Sequence, residues 1–155
     1  MKKIKSFAFL LVPLAFSVDS LADEFSFGAG VGSLYSGVGV NIAMRSDTDL
    51  KYLSAGCVSY SDRGGSTCGV GAGWVTTDLF DFQNTQHGLG AYVGVVGTES
   101  TFFTKDEAIY GAGFGYHYFF NGIGKSGANA GFSFVVGDAN SGTHTGLMAQ
   151  IGYQF

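Results

Sequence analysis

The feature that most constrains the fold is an alternation of residue types in which small residues, mainly glycine, occupy one face. In the last eleven residues, Thr145–Phe155, alternate positions hold Thr, Leu, Ala, Ile, Tyr and Phe, and the positions between hold Gly, Met and Gln. Side chains of a β-strand point alternately to the two faces of a sheet. Eleven residues is also about the length that a tilted strand needs to cross a bilayer. This stretch therefore predicts the closing strand of a transmembrane β-barrel.

Seven further stretches with the same period precede it: 24–32, 37–44, 50–60, 67–77, 85–96, 108–119 and 127–137. Eight strands is an even number and the smallest size of bacterial outer-membrane barrels. The second face is rich in glycine and poor in charge, so a soluble β-protein would expose a surface almost without side chains. We therefore predict an all-β fold, an eight-stranded antiparallel up-and-down transmembrane β-barrel with its apolar face toward lipid. A soluble secreted β-barrel is the alternative.

The N-terminus has the pattern of a secretory signal peptide. Three lysines precede an apolar run over residues 7–18, and Ser20-Leu21-Ala22 supplies a small-x-small cleavage site. Cleavage after Ala22 would leave 23–155 as the barrel domain, exported to the cell outer membrane and surrounded by its lipid and lipopolysaccharide. The mature chain would carry 5 basic and 11 acidic residues, because three lysines and Asp19 leave with the leader. This acidic balance argues against nucleic acid as a partner.

In such a barrel the termini face the periplasm and the longer loops lie outside. The loops over 33–36, 61–66, 97–107 and 138–144 are then extracellular. Aromatic side chains concentrate at the periplasmic ends of the strands, where amphipathic rings favour the membrane interface. The predicted belt consists of Trp74, Tyr116, Tyr118, Tyr153 and Phe155.

Together, the leader, the eight alternating segments and the C-terminal Gly152-Tyr153-Gln154-Phe155 give the chain a resemblance to the small eight-stranded outer-membrane barrels. That group includes OmpX-like proteins, opacity-type proteins and OmpA-type transmembrane domains. The resemblance implies that Tyr153 and Phe155 form an assembly signal for the barrel-insertion machinery, although Gln150 stands where glycine is usual. The group contains enzymes, adhesins and proteins of unknown role, so the resemblance does not settle function.

Cys57 and Cys68 are the only cysteines, and they are placed symmetrically about Asp62-Arg63. Opposed positions on adjacent antiparallel strands come close enough for a disulfide, which an oxidising periplasm would form. We predict a structural disulfide, with two buried free thiols as the alternative. The spacing matches no zinc or redox motif, so the sequence predicts neither a metal site nor a cofactor.

Glycine at most inward positions leaves volume in a barrel that is only wide enough for its own side chains. Two outcomes are open. Either the barrel flattens and inward side chains fill it, or a slender cavity remains that takes an acyl chain or another small apolar ligand. The candidate lumen residues are Tyr52, Tyr92, His117, Met148 and Gln150.

The leading functional hypothesis is a non-enzymatic outer-membrane protein with a structural, surface-interaction or small apolar ligand role. The rival is a lipid-modifying enzyme that performs acyl transfer or deacylation. Ser141 and His144 share an outer loop with Asp138, and Asp62 could approach from another loop. A serine, a histidine and an acid are the groups that acyl transfer requires.

Overall fold

The structure is a computed structural model that describes residues 24–61, 65–80, 84–99 and 106–155. The predicted leader and Asp62 lie outside these residues. Each strand pairs antiparallel with the next, and the last pairs with the first, so the sheet closes into a barrel. The predicted fold class, an all-β eight-stranded antiparallel barrel, is confirmed. The strands are β1 Glu24–Gly32, β2 Gly37–Arg45, β3 Asp49–Ser61, β4 Gly65–Thr76, β5 His87–Glu99, β6 Glu107–Phe119, β7 Gly127–Ala139 and β8 Gly142–Gln154.

The strands differ in length, and this difference shapes one end of the barrel. β1 and β2 have 9 residues each, whereas β3 to β8 have 12 or 13. We call the end that holds Glu24 and Phe155 the terminal end, and the opposite end the hairpin end. The predicted loop over 138–144 was wrong, since β7 runs to Ala139 and β8 begins at Gly142. The cross-strand ladder continues through that stretch down to a two-residue turn.

The register fixes the stagger of the barrel. Moving round the barrel from each residue to its partner on the next strand leads from Ser26 on β1 to Gly146 on β8. The β1–β8 register places Gly146 opposite position 36, which is ten residues beyond Ser26. A stagger of this size in eight strands tilts them by about 40° from the barrel axis. The intermediate positions are Ala43, Tyr52, Gly73, Tyr92, Gly113 and Val135. Among the described residues, no helix is long and apolar enough to span a membrane.

The short first hairpin leaves part of the wall incomplete. β8 pairs with β1 only through Ile151–Gln154, and the β2–β3 ladder ends at Val38 and Cys57. Above these points, Gly142–Ala149 of β8 and Val58–Ser61 of β3 continue toward the hairpin end, and among the described residues no strand pairs with them on the side of β1 and β2. We call the gap between these two edges the lateral slot.

Candidate functional site

The turn between β1 and β2, Ser33–Ser36, lies inside the barrel. The sequence predicted a loop over 33–36, and the turn lies there, but it folds inward, so that Leu34 and Tyr35 are both 0% exposed. Glycines with positive φ flank the turn, 113° at Gly32 and 97° at Gly37. This backbone conformation, which side chains disfavour, directs the chain inward. We call Ser33–Ser36 the stopper turn.

Hydrogen bonds to the surrounding strands hold the stopper turn. Asn129 Nδ2 donates to the Tyr35 hydroxyl at 2.7 Å, and Leu34 N donates to Gln150 Oε1 at 3.3 Å. The amide of Gln150 donates in turn to Asn129 Oδ1 at 3.2 Å, so the two side chains act as one bracket. Further bonds join Ser33 to Ser133 at 2.7 Å, Ser36 to Ser54 at 2.7 Å and Ser36 to Tyr92 at 3.1 Å. The buried polar groups of the turn thereby find the partners that burial requires.

Glycines on neighbouring strands make room for the stopper turn. A Cβ added at Gly152 would lie 2.5 Å from Tyr35 Cε2, and one at Gly30 would lie 2.7 Å from the same atom. At Gly39 and Gly56, an added Cβ would meet the Tyr35 carbonyl oxygen. Real Cβ atoms do not approach so closely. Glycine at these four positions is therefore explained by the turn that packs against them.

Below the stopper turn the lumen is filled by side chains. Tyr52, Tyr92, His117 and Gln150 are buried, and the hydroxyl of Tyr92 donates to the Val95 carbonyl oxygen at 2.9 Å. Met148, the fifth lumen candidate, is only half-buried. At the terminal end an apolar cluster of Leu50, Val75, Phe119 and Ile123 closes the barrel. Of the two outcomes that the sequence left open, the structure shows a lumen filled by side chains in the part of the barrel below the stopper turn.

One charged residue of the lumen lies just beyond the stretch that the sequence predicts as the second strand. That stretch ends at residue 44, but β2 extends to Arg45, whose side chain is 4% exposed. Its Nη2 lies 3.3 Å from Glu24 Oε2 and donates to Ser126 Oγ at 3.3 Å. The parity of β2 could have revealed this position, because Asn41, Ala43 and Arg45 follow one another on the inward face.

The Ser–His pair that the sequence suggested does form, at the rim of the hairpin end. Ser141 Oγ and His144 Nε2 are 2.9 Å apart, and both residues are exposed. The acid beside them is Glu99, whose carboxylate accepts the backbone N–H groups of Asn140 at 3.1 Å and Ser141 at 3.0 Å. Hydrogen bonding from the Ser141 side chain, helped by these two N–H groups and by His144, lowers the pKa of Glu99 below its usual value.

Neither acid that the sequence proposed joins this pair. Asp138 instead accepts the Thr143 hydroxyl at 2.8 Å, and Asp62 is not among the described residues. In a serine hydrolase the acid holds the second nitrogen of the histidine. Within the described ranges, no hydrogen bond reaches His144 Nδ1. Glu99 thus contacts the serine side of the pair, and the arrangement is an incomplete triad.

The predicted disulfide is confirmed. Cys57 and Cys68 are bonded, and they occupy opposed positions on β3 and β4 with Cα atoms 3.8 Å apart. A β-bulge follows directly, between Cys57 and Ser59. The bond therefore fastens the β3–β4 hairpin at the level where β3 loses β2 as a neighbour.

The predicted belt residues lie at the terminal end with their rings outward. Trp74 Nε1 donates to Asp49 Oδ1 at 2.9 Å, and Phe155 stacks on Phe27 with ring centroids 4.7 Å apart. The remaining members contact aromatic neighbours: Tyr153 against Phe155, and Tyr116 and Tyr118 against His87.

This geometry bears on three kinds of site: a metal site, a ligand site in the lumen and a serine–histidine catalytic site. In the described part of the chain, no group of three or more His, Cys, Asp or Glu side chains is placed to hold a metal ion. The lumen is filled, and the rim carries a Ser–His pair without an orienting acid. Comparisons with protein-family models, with curated proteins and with solved structures found no match to this chain.

Proposed function

We propose that the chain is an integral outer-membrane β-barrel without enzymatic activity, which acts as a structural or surface-interaction protein. The observation that carries the proposal is the outward face, where every strand presents exposed large apolar side chains. One example from each strand, in order, is Phe27, Val40, Leu53, Val70, Val93, Phe114, Phe134 and Ile151. A soluble monomer rarely exposes so continuous an apolar surface, whereas lipid requires one.

The distribution of charge supports the same proposal. Charged residues of the strands lie toward the two ends: Glu24, Arg45, Asp49 and Lys51 at the terminal end, and Glu99, Glu107 and Asp138 at the hairpin end. The stretch between them on β7, from Ala128 to Val136, covers about 20 Å of barrel height at 3.3 Å per residue and 40° of tilt. That height is close to the apolar band of outer-membrane barrels, about 25 Å.

The filled lumen supports a role other than conduction. The stopper turn lies across the barrel about halfway up, where β1 and β2 end, and Leu50, Val75, Phe119 and Ile123 close the terminal end. A solute would have to displace both groups to pass. We therefore expect the purified protein in a planar bilayer to show no stable conductance.

Heat-modifiability on a detergent gel of fractionated cells tests the proposal. A folded barrel in the outer-membrane fraction should migrate differently before and after boiling, because detergent alone does not unfold it. The unheated form should also shift with reductant, and the Cys57→Ser variant should remove that shift. A protein that stays in the soluble fraction and shows no heat shift would overturn the membrane assignment.

A second candidate function is supported by the 2.9 Å contact between Ser141 Oγ and His144 Nε2. In a deacylation, the serine oxygen would attack the ester carbonyl while the imidazole takes its proton. The ester C–O bond would then break and the imidazolium would give the proton to the leaving alcohol, after which water would hydrolyse the acyl-serine and release the fatty acid. A fluorophosphonate probe tests this directly. Labelling that disappears in Ser141→Ala and in His144→Ala, but persists in Ser66→Ala, would establish a nucleophilic serine. An unlabelled parent protein would exclude it.

A further inference from the structure

The lateral slot is an opening in the barrel wall above the stopper turn, and it exists because β1 and β2 are shorter than their neighbours. β1 and β2 end about halfway up the barrel, while β3 and β8 continue to the hairpin end. At the base of the slot these two edges are separated by two strands, which corresponds to roughly 14 Å at the usual spacing between strands. The floor of the slot is the turn from Gly32 to Gly37.

The inner wall of the slot is accessible. Residues 141–147 are all exposed, including His144 and Gly146, which point to the lumen side of β8. A Cβ added at Gly146 would meet no atom closer than Val135 Cγ2 at 3.7 Å. No described residue therefore covers the lumen face of β8 at this height, although the same face is packed at Gly152 below.

The walls of the slot change from apolar to polar toward the hairpin end. Beside the floor lie Met148 on the lumen face, where it is half-buried, and Val38 and Leu147 on the outward face, where they are among the most exposed apolar residues. Nearer the rim lie Thr145, His144 and Ser141, which all carry hydrogen-bonding side chains. The free edge of β8 adds backbone N–H groups for which the described part of the chain supplies no partner strand on that side.

We propose that the lateral slot binds one acyl chain of an outer-leaflet lipid, with the ester or amide carbonyl of the lipid at the free edge of β8. This inference rests on the proposed function, because the slot is continuous with the proposed lipid-facing surface. The apolar base suits the hydrocarbon, and the unpaired N–H groups need acceptors, since unsatisfied backbone groups in hydrocarbon are costly. A lipid supplies both parts in the order in which the slot presents them.

Native mass spectrometry of the full mature chain, extracted from outer membranes in a mild detergent, tests the proposal. The probe is lysophosphatidylethanolamine, a single-chain lipid, titrated into delipidated protein. We expect one retained lipid per barrel. Gly146→Leu should reduce its apparent affinity at least about tenfold, because the new side chain projects into open space that the acyl chain would use. Ala112→Leu, which introduces the same side chain on the outward face of β6, should leave the affinity unchanged.

The failure of this proposal can be distinguished from failure of the membrane assignment. Heat-modifiability is measured on the same samples, and it should be identical in the parent, in Gly146→Leu and in Ala112→Leu. A heat-modifiable barrel that retains no lipid, or that binds equally well in both variants, would overturn the slot proposal alone. A copurifying polypeptide that occupies the slot instead would overturn it too, since a free strand edge can also pair with an extended peptide.

Discussion

The two halves of β8 have the same sequence pattern but different surroundings. Ile151–Gln154 pairs with β7 on one side and β1 on the other, and Gln154 is buried. Gly142–Ala149 pairs only with β7, and almost all of it is exposed. Alternation therefore predicts that a segment is a strand, but not how many neighbours the strand has. The number of neighbours along β8 is determined by the length of another hairpin, β1–β2.

Glycine shows the same contrast. Gly152 and Gly146 lie on the same face of β8, six residues apart. Gly152 is required by close contact with the Tyr35 ring, whereas Gly146 borders open space. Gly152 thus makes space for the side chain of Tyr35, whereas the space beside Gly146 is not filled by the described residues.

The largest expected effect concerns the stopper turn. We call the part of the barrel from the terminal end up to the stopper turn the closed half, and the part above it the open half. Tyr35→Ala would leave a cavity in the closed half and remove the partner of Asn129, and we expect it to destabilise the barrel by about 3–5 kcal/mol. Tyr60→Ala, at an 82% exposed position of the same type, should change stability by less than about 0.5 kcal/mol. Urea unfolding in detergent, followed by the gel shift, measures both. Equal effects would mean that the stopper turn does not pack in the lumen.

The second prediction compares the lipid exposure of the two halves. Val40→Arg places a charge on the outward face of the closed half, at mid-height, and should cost about 2–4 kcal/mol in a bilayer. Thr145→Arg places the same charge on the outward face beside the slot, near the hairpin end, and should cost about 0–1 kcal/mol. Unfolding from lipid vesicles measures both. If Val40→Arg were harmless, the outward face would be in water and the barrel soluble.

The third prediction uses the two glycines. Gly152→Ala forces the Tyr35 ring or the β8 backbone to move, and we expect a loss of about 1–3 kcal/mol. Gly146→Ala meets no close atom and should be neutral, or stabilise by up to about 1 kcal/mol through the unfolded chain. The same unfolding assay compares them. A large loss in Gly146→Ala would contradict an open inner wall.

Much of the fold could be predicted from the sequence, because each strand of a small barrel repeats the same alternation of inward and outward residues. The strand count, the opposed cysteines and the inward orientation of Tyr52 and Tyr92 all follow from a period of two and from symmetric spacing. β1 was predicted with its observed bounds, and the error at β8 was three residues at its start.

The stopper turn could not be predicted in this way. Ser33–Ser36 has the composition of an ordinary surface turn, and its burial depends on glycines far away in sequence, such as Gly152 on the last strand. The same holds at the rim, where Glu99 approaches Ser141 from another hairpin. Contacts of this kind depend on the stagger of the strands, which local periodicity does not determine.

The smallest expected effect concerns that contact between hairpins in the open half. The pKa of Glu99 is lowered from 4.5, chiefly by hydrogen bonding from Ser141, so the charged carboxylate holds the β7–β8 turn more strongly than the neutral acid. Its contribution should be complete above pH 4.5 and should disappear as the pH falls through the lowered value. Glu99→Gln should therefore speed hydrogen exchange at the Asn140 and Ser141 amides by roughly two- to tenfold at neutral pH.

Acid provides the control within the same experiment. The ratio of exchange rates between Glu99→Gln and the parent should approach one in strong acid, where the parent carboxylate is protonated too. Glu107→Gln, which neutralises the residue that pairs with Glu99 across β5 and β6, should leave both amides unchanged. A ratio that does not depend on pH would mean that the charge of Glu99 does not hold the turn, and that the open half of the barrel owes its shape to the paired strands alone.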